Sequence, residues 1–298
     1  MELYIDIEKA RPLIEECIRK FGYAPEHNVD HYLYGGVDYA ETIFVRFEDG
    51  SGLLTYRDPK AWDVFSEPLA PEDRRAGILA EFLRDAFGAP EIKKVNLELY
   101  ERTRHALLKA LPEDLRARSV NYTLLWPLFD LGAFDPDLPG GRYKDLRNAR
   151  NAFLRDHTVN VVDARTIAKE ELHKIPIAWK QTRRARDRAY TKMYDAYIDN
   201  DFRGTTHARA IIVDGHAAGI NAGWTIPNSN AYYAAIGLHD YSFRDLGDVL
   251  NLEDLAFLKR AGYSHADFAG GEKALTQYKL KFGDAKVYKS FVFSIVKR

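Results

Sequence analysis

The chain has 298 residues, 46% hydrophobic and 29% charged, with a formal net charge of -1. Those values suit a globular protein with a sizeable core and exclude a disordered or fibrous chain; the near-zero balance excludes a global field for polyanions and leaves any nucleic-acid contact to local basic faces. A single cysteine, Cys17, excludes an intrachain disulfide and a cysteine-cluster zinc site.

The opening MELYIDIEKARPLIEE is acidic and amphipathic, unlike a signal peptide. No apolar run approaches the roughly 18–20 residues a spanning helix needs, so the expectation is a soluble, cytoplasmic protein. Thr42 to Tyr56 reads as two short strands around the Asp49-Gly50 turn. An amphipathic helix follows, opened by Pro71-Glu72-Asp73 and closed by Gly88. A strand from Lys93, a short helix from Glu101 and a strand from Asn121 complete a first module. A Pro and Gly cluster at Asp135 to Gly141 reads as a loop, and Arg142 to His157 as a helix with Leu146, Ala149 and Phe153 on one face.

The same order then recurs. Ala208 to Trp224 forms a second hairpin around Asp214-Gly215, roughly 165 residues after the first. A helix with Leu246, Val249, Leu250, Leu252, Leu255 and Leu258 at helical spacing closes at Gly262. A strand from Ser264, a helix from Glu272 and a strand from Lys286 follow. Six elements recurring in order predict a duplicated mixed α/β module, residues 1–158 and 159–298.

Three stretches narrow the reading. WDVFSEPLAPEDRRAGILAEFL (Trp62 to Leu83), GRYKDLRNARNAFLRDH and GGEKALTQYKLKFGD (Gly270 to Asp284) resemble the C-terminal domain of bacterial phosphatidylglycerol lysyltransferases. The last is also loosely similar to the Fem peptidyltransferases. The element order resembles that of the GNAT acyltransferases, so the expected fold is a tandem GNAT duplication. The resemblance covers roughly residues 30–298. It implies transfer of an aminoacyl group from aminoacyl-tRNA to an amine or hydroxyl acceptor: a small molecule, a peptide or a lipid headgroup. The lysyltransferases carry a large membrane portion that this sequence lacks, which weighs against the lipid. Ordinary GNAT enzymes also grip coenzyme A through a glycine-rich loop. The corresponding SFRDLGDVLNLED has one glycine and several acids, which repel a pyrophosphate at a helix start. Aminoacyl-tRNA is therefore the expected co-substrate and acyl-CoA the alternative, with no other cofactor; an acyl-CoA N-acyltransferase acting on a small amine, or a non-catalytic binding protein of the same fold, are the competing functions.

Acyl transfer from an ester needs a cation or donor for the oxyanion, an acid for the leaving group and a base for the nucleophile. The Fem resemblance assigns Lys279 to the oxyanion or donor phosphate. The GNAT resemblance places Tyr278 as general acid, and Glu272, just after Gly270-Gly271, is a candidate base. Each of these also suits a solvated or packed helix face. Lys180, Arg184, Arg188 and Lys192 fall four apart, with Arg183 and Arg186 beside them and Trp179, Tyr190 and Tyr194 interleaved. Such a stripe tracks a phosphate backbone and stacks unpaired bases, or is a solvated helix face. Lys144, Arg147 and Arg150 form a shorter one. Asn221 and Trp224 on the second hairpin are candidates to line a substrate groove, although strand tryptophans are more often core, and Asp240 and Arg244, after the strand AYYAAIGL, are candidate substrate contacts where the sheet of this fold splays. The nine histidines show no metal-ligand spacing.

Overall fold

The computed structural model describes residues 1–37, 40–182 and 191–298. In the first part of the chain, β1 (Glu2–Tyr4), α1 (Ile7–Phe21) and α2 (Val29–Gly35) precede β2 (Glu41–Arg46), β3 (Gly52–Asp58) and β4 (Ala61–Val64). Then come α3 (Arg75–Gly88), β5 (Lys94–Tyr100), α4 (Glu101–Ala110), β6 (Leu115–Ala117) and β7 (Tyr122–Asp130). The bridging helix α5 (Lys144–Asp156) leads to β8 (Val159–Asp163), α6 (Lys169–Gln181) and α7 (Lys192–Asp199). The second module has β9 (His207–Val213), β10 (His216–Thr225), β11 (Ala231–His239) and α8 (Leu246–Arg260). It ends with β12 (His265–Asp267), α9 (Lys273–Lys279) and β13 (Ala285–Lys297). Among the described residues no helix is long and apolar enough to cross a membrane.

The two Asp-Gly turns both form hairpins, by different geometry. In the second, Asp214 and Gly215 both take left-handed φ, 52° and 87°, the signature of a tight two-residue turn. In the first only Gly50 does, and the loop is held by Phe47 N–H to Ser51 C=O and by Asp49 Oδ1 accepting from Ser51 N–H. Residues 71–74 form a turn ahead of α3, which begins at Arg75. Its Ile78, Leu79, Phe82, Leu83 and Ala86 are buried, the spacing of one helical face.

The strands form one continuous sheet in the order β1-β2-β3-β4-β5-β13-β7-β12-β11-β10-β9-β8, with β6 also on β13. Among the described residues only the β4–β5 and β11–β12 pairs run parallel. The last strands of the two modules are exchanged. β13 pairs β5 over Ser290–Ile295, and β7 pairs β12 over Leu128–Asp130. The cores follow. Phe293 and Ile295 of β13 pack with Phe82, Val95 and Leu97; Phe129 of β7 packs with Leu252, Leu255, Leu258 and Phe268. Burial of apolar surface therefore fastens each module through a strand of the other.

Side chains add to the fastening. Trp224 Nε1 donates to Pro25 O at 2.8 Å and Asn28 Nδ2 to Gly204 O at 2.8 Å. The buried Asp30 accepts from both Arg11 and Arg203.

Candidate active site

β11 and β12 are paired only over Ala231–Tyr233 against His265–Asp267. Past Tyr233, β11 continues to His239 without that neighbour, and the sheet opens into a cleft of about 660 Å³. Its walls come from β11, the start of α8, the 268–270 segment and α9. Strand ends and helix N–H groups converge at an opened parallel pair facing a helix start, an arrangement that suits a ligand.

Lys279, the last residue of α9, reaches this cleft. Its Nζ donates to the carbonyls of Phe268 and Ala269. An ammonium has three N–H donors, so by count one remains. Burial pulls its pKa down to about 8, partly opposed by Asp267. Asp267 itself ends β12 and is fully buried. Its Oδ1 accepts from Ala269 N–H at 2.9 Å and its Oδ2 from Tyr288 O–H at 2.5 Å. Burial pushes that carboxyl up to about 6, with the Tyr288 bond opposing. Ala269 takes a left-handed φ of 60°, uncommon for a residue with a Cβ. Lys279 and Asp267 thus clamp a strained three-residue wall of the cleft from two sides.

Tyr278 also lines the cleft and donates to Asp248 Oδ1 at 2.9 Å. Burial first, then Asp248, raises its pKa, so it stays protonated. Glu272 opens α9, is exposed and does not line the cleft. Asn221 lines it from β10, its Nδ2 donating to Leu250 O at 3.1 Å. Trp224 is buried, tied to Pro25 and packed on His31 and Tyr233, outside the cleft lining. Asp240 caps a turn by accepting from Ser242 N–H, and Arg244 stands at the cleft rim with its side chain 94% exposed.

Of the longer basic stripe, Arg183, Arg184, Arg186 and Arg188 lie outside the described residues. Lys180 and Lys192 are exposed, on α6 and α7 respectively, so they sit on two helices. In the shorter stripe Lys144 is exposed, but Arg147 donates to Leu138 and Gly140 carbonyls and Arg150 to Pro136 O. Those two guanidinium groups hold the 135–141 loop.

Two features of the cleft belong to the SFRDLGDVLNLED stretch, and the sequence did not show what they pair with. Asp248, in the first turn of α8, accepts from Tyr278 and, at 2.6 Å, from Lys281 Nζ. Gly247 beside it leaves room for His239 and Tyr278, since a Cβ would come within 2.7 and 3.0 Å of them. The α8 start thus presents a carboxylate already paired with a lysine. A diphosphate seated there would have to compete with Asp248 for Lys281. Among the described residues no group of three or more His, Cys, Asp or Glu is placed to hold a metal ion.

The sequence matches no family profile and no curated protein. Solved structures do match, across nearly the whole chain. The structure of L-PGS from Bacillus licheniformis has a TM-score of 0.70 at 14% identity, covering 98% of this chain and 92% of that one. FemX gives 0.60 at 12%, over 99% and 97%. A tandem GNAT protein from the clavulanic acid biosynthesis pathway gives 0.57 at 14%, over 99% and 98%. The chain has the tandem GNAT fold, and its resemblance to the C-terminal domain of lysylphosphatidylglycerol synthetases and to FemX holds in three dimensions.

Proposed function

We propose that this protein is an acyltransferase that moves an aminoacyl group from aminoacyl-tRNA to an amine or hydroxyl acceptor, in the cleft between β11 and β12. The observation that carries the reading is a half-buried lysine, Lys279, pinned at the opened sheet edge with its pKa lowered to about 8. In this reaction the acceptor attacks the ester carbonyl and a tetrahedral oxyanion forms. The bond to the ribose oxygen then breaks, that oxygen takes a proton and the acceptor releases one. Lys279, protonated at neutral pH, offers its remaining N–H to the oxyanion. Tyr278, kept protonated, gives its one O–H to Asp248 Oδ1 and so positions that carboxylate at the cleft; it would serve as acid only by leaving it. Glu272 has no part in this proposal. The Asp248–Lys281 pair at the α8 start supports an aminoacyl ester over coenzyme A as donor, because a diphosphate at that helix would have to compete with Asp248 for Lys281, and the ester brings none.

The test incubates the protein with radiolabelled aminoacyl-tRNAs and, in parallel, with acetyl-coenzyme A, each with amine and hydroxyl acceptors. Acceptor-dependent loss of label from one tRNA species supports the proposal. Acceptor-dependent release of free coenzyme A with inert aminoacyl-tRNA replaces it with the acyl-CoA reading. If Lys180, Lys192 and the arginines between them grip tRNA, its affinity falls steeply with salt.

A further inference from the structure

A second cavity, of about 280 Å³, adjoins the cleft: Ala269 and Gly270 line both. The two modules build it together, with Glu26, Ser66 and Glu98 from the first and Tyr233 from the second. Aromatic rings wall it, among them Tyr56, Trp126 and Tyr233. Gly270 lets Trp126 close against the chain, since a Cβ there would lie 2.6 Å from the indole.

Its polar groups do not balance. Glu26 Oε2 and Ser66 Oγ are buried with no hydrogen-bond partner. Glu98 Oε1 accepts from Ser290 O–H at 2.6 Å, and Ser290 Oγ in turn accepts from Trp126 Nε1–H. Among the described residues lining the cavity there is no lysine or arginine. His31 is no substitute, because burial holds its pKa near about 4 and so keeps it neutral. Burial pushes the Glu26 carboxyl well above its usual range, with Glu98 adding to this, and pushes Glu98 up to about 7. Without a cation these carboxyls take protons rather than stand charged in the cavity; a cation supplied from outside would let one ionise and pair with it, while the ring faces attract the same charge.

We propose that this cavity is a subsite for a primary ammonium group, held by Glu26 and Glu98 against the Trp126 and Tyr233 rings and carried by one of the two substrates. The inference rests on the transfer reading for its role and deepens it by naming a cationic substrate. Two sources have that chemistry: the free amino group of the aminoacyl donor, and an amine-bearing acceptor.

The test begins with binding, which needs no turnover. Ligand-observed NMR titration compares n-butylammonium with the neutral isostere n-pentanol, on wild type and on Glu26→Gln and Glu98→Gln, with the exposed Glu91→Gln as control. The ammonium is expected to bind at least about tenfold tighter than the alcohol, and each buried variant to lose most of that preference. Equal binding of the two probes by wild type, or an unchanged preference in both variants once a thermal melt shows them folded, overturns the proposal. The second measurement is kcat/KM for Glu26→Gln with free and N-acetylated aminoacyl-tRNA and with amine and hydroxyl acceptors. A loss confined to the free-amine donor assigns the cation to the donor, and one confined to amine acceptors assigns it to the acceptor; no loss with any substrate overturns the proposal. If no donor supports transfer, the transfer reading fails while the probe titration still decides the subsite.

Discussion

Replacing Lys279 with methionine removes the ammonium and keeps a stem of similar bulk. Two consequences compete. The carbonyls of Phe268 and Ala269 lose their donor, and hydrogen bonds to a charged group are worth about 1.5–3 kcal/mol each. Against that, the variant no longer holds a desolvated charge, the effect that pulls the lysine pKa down to about 8. The net loss of stability is about 1–2 kcal/mol, a few degrees in Tm. The catalytic effect is larger: removing one donor to an oxyanion costs about 10²–10³ in kcat, or roughly 3–4 kcal/mol. The assay is single-turnover transfer from radiolabelled aminoacyl-tRNA at 25 °C, beside a thermal melt showing the variant folded. Lys279→Arg separates roles, because its guanidinium keeps the charge but gives up no proton in the working range. A lysine acting as a cation works below its pKa, so the wild-type rate falls as pH rises through about 8, and the Arg variant lacks that falling limb. A Met variant that stays folded and keeps its rate would refute the assignment, as would a wild-type rate that climbs through pH 8.

Glu98→Gln tests the sign of a buried acid: its folded pKa of about 7 lies above the ordinary 4.5, so its contribution to stability is fully present below about 4.5 and lost as pH rises through 7. The variant should match wild type in Tm at pH 4.5 and exceed it at pH 8, by calorimetry. Arg209→Met strands the buried Asp254, whose Oδ1 lies 3.4 Å from the guanidinium, and should cost about 3 kcal/mol in urea unfolding; adding Asp254→Asn should recover part of it. Gly223→Ala should be the most damaging small substitution, because its Cβ would stand 1.9 Å from Tyr233 O in the β10–β11 pairing; a soluble variant with wild-type Tm would contradict that geometry.

What could be read from the sequence was local. The Asp-Gly hairpins, the α8 stripe of Leu246, Val249, Leu250, Leu252, Leu255 and Leu258, and the order of six repeating elements are short-range patterns, and the folded chain keeps them. β7 and β13 are different. Each is an apolar strand after a short helix, and nothing in its own residues says whether β5 or β12 is its neighbour. Pairing choices of that kind are made by the whole core, through contacts such as Phe293 on Val95. The same separation hid most of the site. Lys279 could be singled out because family resemblance points at α9, but its clamp depends on Asp267, and the adjoining cavity on Glu26 and Glu98, acids spread over more than two hundred residues with no shared motif. Arg147 and Arg150 show the opposite failure: helical spacing put them on a basic face, and the loop carbonyls of residues 136–140 engaged them first. Charge pattern reports which groups are available on an element. Which of them remain available for a substrate is decided by the backbone groups the fold brings within reach, and here loop carbonyls occupy two arginines while no donor reaches Glu26 Oε2.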